Sequence, residues 1–248
     1  MTDVFRIARE QRHRQIHEYK AMINKTTTAI GLILLTASEL TLASTTPHQF
    51  VDVKSVIRDV NTEIRYYSDD NFVGTRIDGY EAAKCLLHRA AANDLKQASE
   101  ELAGQGYRLK IFDCYRPEQA VAHFMRWAQD ISDQSTKSDY YPNIEKADLV
   151  PDYIAARSGH SRGYTIDLTL EQVQADGSYK EVDMGSPFDM FDTLSNTDDS
   201  RITETQKRHR YQLKSIMHKH HFSAYSMEWW HFTHESDPKT NYWDFPVK

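Results

Sequence analysis

The chain of 248 residues has little of what builds several classes of protein. It holds two cysteines, Cys85 and Cys114, too few for a scaffold built on disulfides. Nine glycines, seven prolines and no low-complexity tract or internal repeat leave no basis for a collagen-like or disordered body. No apolar run reaches the roughly 20 residues that a membrane-spanning helix needs. Positive charge is not in excess: 30 Lys and Arg stand against 36 Asp and Glu, a net charge of -6. Nucleic acid, which is bound by clustered cations, is therefore not an expected partner. What is present is 40% hydrophobic residues with 14 Tyr and 4 Trp, enough for one globular domain with a substantial core. The two cysteines read as small, partly buried hydrophobes rather than as a bridged pair, which would need their alpha carbons within about 7 Å.

The N-terminal residues differ in character from the rest. Arg6, Arg9, Arg12, Arg14 and Lys20 outnumber Asp3, Glu10 and Glu18 in residues 1–21. Lys25 is followed by an apolar run from Ala29 to Ala37 and by Thr41-Leu42-Ala43-Ser44. A basic stretch, a short apolar segment and a small residue before the cut describe a secretory signal. Residues 22–43 are expected to be that signal, with Met22 as the start, cleavage after Ala43 (Ala37 is the alternative) and 1–21 as an upstream leader. An amphipathic first helix is the competing reading of the leader. The domain proper is then 44–248, located in the periplasm, with no stable membrane insertion once the signal is removed.

Along the domain, Val51–Val60 and Ile64–Tyr67 read as strands, and Ser68–Gly74 as a loop. Glu81–Leu102 has a helical face in Leu86, Leu87, Ala90, Leu95, Ala98 and Leu102, closed by Gly104 and Gly106. Tyr107–Phe112 alternates as a strand, and Pro117 opens a helix over Glu118–Gln129. Residues 131–154 and Met184–Ser200 read as loops, Tyr164–Leu170 as a strand, Thr203–His221 as a basic helix and aromatic Phe222–Phe232 as a strand. This order predicts a single α+β domain with a largely antiparallel central sheet flanked by helices.

Three segments carry chemistry. Ser158-Gly159-His160-Ser161-Arg162-Gly163-Tyr164-Thr165-Ile166-Asp167 holds two metal donors seven positions apart. On a straight strand they would lie about 23 Å apart, whereas ligands of one zinc lie within about 4 Å of each other. The chain must reverse between them, and Gly163 permits the turn; a surface hairpin with an incidental His and Asp is the bland alternative. Glu228-Trp229-Trp230-His231 sets a carboxylate three residues before a histidine, the spacing of a general base beside a metal ligand. Side chains three apart on a regular strand face opposite ways, so a bulge or irregular backbone is expected there. Asp113-Cys114-Tyr115-Arg116-Pro117 offers a guanidinium for an oxyanion, or simply an Arg116–Asp113 ion pair. Two His, one Asp and a free Glu suit a catalytic zinc with an open position, since a structural zinc wants four ligands.

Taken together, His-Ser-Arg-Gly with Ile-Asp-Leu, then Glu-Trp-Trp-His, preceded by Asp-x-Tyr-Arg-Pro, resemble the VanX-type D-alanyl-D-alanine dipeptidases of the zinc D,D-peptidase superfamily, peptidase family M15. The resemblance runs from about residue 50 to the C-terminus and includes Tyr66–Gly74, Tyr140–Ile144, Met184–Asp189 and Asp244–Lys248. It implies one zinc on His160, Asp167 and His231, Glu228 as catalytic base and Arg116 as the group that polarises the scissile carbonyl. Tyr66, Asp113, Ser158 and Asp189 match the substrate pocket, an acid suiting the ammonium of a dipeptide and a hydroxyl its carboxylate. The implied partner is a small dipeptide, and an oligomer is compatible with the sequence. A D,D-carboxypeptidase acting on longer cell-wall peptides is the alternative activity. Gly159 stands where a Ser is expected, and Cys114 where a Gly is. His234, three past His231, is a candidate to orient a ligand from behind. His218, His220 and His221 read as groups that suit a helix C-terminus.

Overall fold

Alternation and helical periodicity account for most of the elements seen in the computed structural model, which describes residues 46–248. The expected leader and signal lie outside the described residues. The strands are β1 (Phe50–Asp52), β2 (Asn61–Thr62), β3 (Leu86–His88), β4 (Tyr107–Asp113), β5 (Thr165–Val173), β6 (Tyr179–Glu181), β7 (Phe222–Ala224) and β8 (His231–His234). The helices are α1 (Arg89–Ala103), α2 (Glu118–Gln129), the single turn α3 (Lys137–Tyr140) and α4 (Glu204–Lys219). The architecture is α+β, as expected. The main sheet runs β2-β4-β5-β8-β7, with β6 added to the far end of β5. It is antiparallel except for the β2–β4 pair, which is parallel. β1 and β3 form a separate antiparallel pair.

The two faces of the sheet have different tasks. Leu109 and Ile111 pair with Leu170 and Leu168, and Ile166 with Phe232. All are buried on the face that meets α1 and α4. Helix α1 presents Ala91, Ala92, Leu95, Ala98 and Leu102 at helical spacing. Helix α4 starts with a capping box between Thr203 and Gln206. Its Arg210 is fully buried and donates to the carbonyls of Met184, Leu194 and Asn196. That guanidinium shapes the long segment read from sequence as a loop, and Asp189 is part of it.

Several expectations are corrected. Residues 81–88 are not helical: Leu86–His88 pair with β1, and α1 begins only at Arg89, where His88 caps it. The strand expected over Ile64–Tyr67 is replaced by a 3-10 turn, Arg65–Tyr67, and the strand expected over 51–60 stops at Asp52. The aromatic strand expected over 222–232 is broken between Ala224 and His231, with Glu228 in the turn.

The cysteines are also corrected: Cys85 and Cys114 form a disulfide with alpha carbons 5.2 Å apart. It ties the segment before β3 to the end of β4 and closes a loop spanning 29 positions. Chain entropy over such a loop is worth about 3–4 kcal/mol. The Cys85→Ala, Cys114→Ala double variant is expected to lose about 3 kcal/mol of unfolding free energy in urea titrations. Unchanged stability would mean the bridge does not constrain the chain in solution.

Candidate active site

The site grows from one row of the sheet. Asp113 of β4 pairs with Asp167 of β5, and Asp167 pairs with His231 of β8. Directly opposed residues share a face, so three polar side chains stand side by side. Asp113 reaches this row only through a register shift in β4 between Ile111 and Asp113. Without it Asp113 would share the helix-covered face with Leu109 and Ile111; the extra residue reverses the parity. The same alternation sends His234 to the opposite face from the row. There its Nε2 lies 2.9 Å from Asp94 of α1, so it does not support the row from behind.

His160 arrives from a 3-10 turn, Gly159–Arg162, capped by Ser158 and closed by Gly163 in the left-handed region at φ 82°. Gly163 is required twice over. A β-carbon there would also fall 2.2 Å from Cε1 of Phe50. The Nδ1 of His160 lies 2.7 Å from the carbonyl of Cys114 and donates to it, which leaves Nε2 as the acceptor facing the row. His160 Nε2 is 3.2 Å from Asp167 Oδ2 and 3.3 Å from His231 Nδ1, and His231 Nδ1 is 3.1 Å from Asp167 Oδ1.

This donor set fits a zinc ion. Bonds of about 2.0–2.2 Å at tetrahedral angles place ligand atoms roughly 3.3–3.6 Å apart. One donor atom from each of His160, Asp167 and His231 lies within 4.8 Å of the others, a grouping of three found at this one place among the described residues. Asp167 Oδ1 is buried and forms no hydrogen bond, although His231 Nδ1 lies 3.1 Å away; it is an orphan that a cation would satisfy. Burial pushes the Asp167 carboxyl up, but His160 and His231 outweigh it and hold it below the usual range. The histidines at the end of α4 join no such group; His220 bonds Glu101 instead.

Glu228 lies in the turn before β8, its Oε2 3.4 Å from His231 Nδ1. The irregular backbone expected from sequence is this turn, held by Trp229 N–H on the Ser195 carbonyl and Trp229 Nε1 on Ser186 Oγ. Burial, with Asp167 adding to it and His231 opposing, lifts the Glu228 carboxyl to about 7. Arg116 is aimed by Asp113: Nε and Nη2 each lie 2.9 Å from Asp113 Oδ2, and Nη2 is 3.5 Å from Asp167 Oδ2. Asp113 is wholly buried behind Arg116 rather than on the pocket wall, and its other oxygen accepts from Tyr80 at 2.5 Å. Tyr80 was not singled out in the sequence, and no local motif marks it.

The row opens on a cavity of about 280 Å3 walled by Tyr66, Arg116, Ser158, His160, Asp189 and Glu228 among others. Tyr66 donates to Asp189 Oδ2 at 2.8 Å, and burial raises the Asp189 carboxyl well above its ordinary range, with Asp167 adding to the effect. Of the nine residues picked out in the sequence, eight therefore converge on the cavity and Asp113 supports it from behind.

Comparison with known proteins agrees with this arrangement. Residues 46–248 match the Peptidase M15 family, described as D-Ala-D-Ala dipeptidase. A D-alanyl-D-alanine dipeptidase of Enterococcus faecium is 39% identical over 201 residues, covering 80% of this chain and 98% of that protein. One from Streptomyces coelicolor is 36% identical over 200 residues, with the same coverage. One from Escherichia coli is 34% identical over 184 residues, 74% of this chain and 83% of its own. The chain, with its His-Asp-His cluster beside a free glutamate, belongs to the Peptidase M15 family of D-Ala-D-Ala dipeptidases.

Proposed function

We propose that this enzyme hydrolyses D-alanyl-D-alanine to two molecules of D-alanine, with zinc held by His160, Asp167 and His231. The observation that carries the reading is the ungrouped carboxylate of Glu228 beside a three-donor cluster, at the wall of a small cavity. At about 280 Å3 the cavity is below the roughly 300–1,000 Å3 of sites for drug-sized molecules, which suits a dipeptide of small residues.

Zinc, when bound, supplies Lewis acidity that polarises a carbonyl and acidifies water. Glu228 takes the proton of the attacking water and hands it to the leaving amine. Arg116, fixed by Asp113, carries positive charge to the oxyanion as it develops. The Tyr66–Asp189 pair suits the substrate ammonium, and the Ser158 hydroxyl suits its carboxylate. The Cys85–Cys114 bridge supports export to an oxidising compartment, the periplasm, because disulfides are rare in the cytosol.

The test is D-alanine release by purified protein from D-alanyl-D-alanine, with and without chelator, beside N-acetyl-D-alanyl-D-alanine. Cleavage of the free dipeptide alone, abolished by chelator and restored by zinc, is the expected result. Cleavage of the blocked peptide would assign a D,D-carboxypeptidase instead. No cleavage by folded, zinc-replete protein would overturn the reading.

A further inference from the structure

A dipeptide with both ends free carries an ammonium at one end and a carboxylate at the other, and the cavity has to accommodate both. Its wall holds four carboxylates, Asp152, Asp167, Asp189 and Glu228, against two guanidiniums, Arg116 and Arg157. On such a wall an anionic end is received beside a cation with hydrogen bonds to spare. Arg116 is already committed to Asp113 and Asp167. Arg157 makes no ion pair and no side-chain hydrogen bond among the described residues.

Arg157 is nonetheless held in place. Its guanidinium stacks 3.8 Å above the ring of Tyr242. The Tyr242 hydroxyl accepts from Arg162 Nη1 at 2.9 Å, and Arg162 is fixed in turn by Asp237 through Nε at 2.8 Å. The neighbouring Trp243 N–H bonds the Ser161 carbonyl at 2.9 Å, which ties this C-terminal stretch to the turn carrying His160. Stacking uses the face of the guanidinium and leaves its edge donors open, the geometry that receives a carboxylate bidentately. Arg157 also directly precedes Ser158.

We infer that Arg157 is a specificity-determining residue that binds the free C-terminal carboxylate of the substrate. This rests on the dipeptidase reading. It gives the anionic end of a zwitterion a partner in a cavity with more carboxyl groups than guanidiniums, and it makes a free carboxylate on the residue after the scissile bond a determinant of substrate preference.

The experiment compares zinc-loaded wild type, Arg157→Ala and Arg157→Lys on D-alanyl-D-alanine and on its C-terminal amide, with zinc content and thermal unfolding measured for each. Wild type is expected to prefer the acid. Arg157→Ala is expected to raise KM for the acid about 10–100-fold, the loss of a charge-assisted hydrogen bond. Its kcat should stay near wild type and its rate on the amide should be unchanged, so the acid-over-amide preference falls by the same factor. Arg157→Lys, with charge but no fork, should fall between. Equal losses on acid and amide, which a merely structural Arg157–Tyr242 stack would produce, overturn the assignment, as does an unchanged preference. Wild type that cleaves neither substrate overturns the dipeptidase reading itself, a failure seen without reference to any Arg157 variant.

Discussion

Glu228→Gln is expected to lower kcat on D-alanyl-D-alanine by about 10²–10⁴-fold, the usual contribution of a positioned general base, while keeping one zinc per chain. The amide preserves the shape of the side chain and its ability to hydrogen-bond near His231, 3.4 Å away. What it loses is the ability to accept and return a proton. Because Glu228 is outside the three-donor cluster, metal content should not change. Steady-state rates with metal analysis on the same sample separate the two effects. His231→Ala, by contrast, should lose metal and activity together. Near wild-type turnover by Glu228→Gln would assign the proton transfer to another group.

Arg116→Met is expected to lower kcat/KM by about 10²–10³-fold, the range seen when one oxyanion donor is removed. It should also destabilise the fold, because Asp113, with none of its surface exposed, loses the partner that neutralises it. Removing one member of a buried pair costs about 3–5 kcal/mol. The two consequences can be separated with Asp113→Asn. In the Arg116→Met, Asp113→Asn protein the stranded charge is gone, so stability should recover toward wild type while activity does not. Urea unfolding and kcat/KM on all four proteins form a double-mutant cycle. Recovery of activity along with stability would reduce Arg116 to a counter-charge for Asp113.

Much of the site was legible because its motifs are local. His160, Gly163 and Asp167 lie within one turn and one strand, and the need to bring two donors together predicts the reversal that Gly163 makes. Helix α2 was legible to the residue because Pro117 marks its start and its apolar spacing is regular. The helix expected from Glu81 failed because Leu86 and Leu87 satisfy a helical face and a buried strand equally well. Pairing with Phe50–Asp52, more than 30 positions away, decides between them. The strand expected over 222–232 failed for a related reason. Aromatic residues favour strands, but Trp229 and Trp230 are buried just as well in a turn once Ser186 Oγ and the Ser195 carbonyl accept the hydrogen bonds of Trp229.

By itself the sequence determined which groups are available and which turns are open to them: two imidazoles, two aspartates, a glutamate three before a histidine, and a glycine that permits the backbone to turn left-handed. The tertiary structure alone decided which of them meet. A one-residue register shift in β4 places Asp113 behind Arg116 and beside Asp167, and strand parity gives His231 to the cavity and His234 to Asp94. Register, the Cys85–Cys114 bridge and the stack of Arg157 on Tyr242 all depend on contacts between residues far apart in the chain. Such contacts are settled by packing and cross-strand hydrogen bonds, and no local window of sequence contains them.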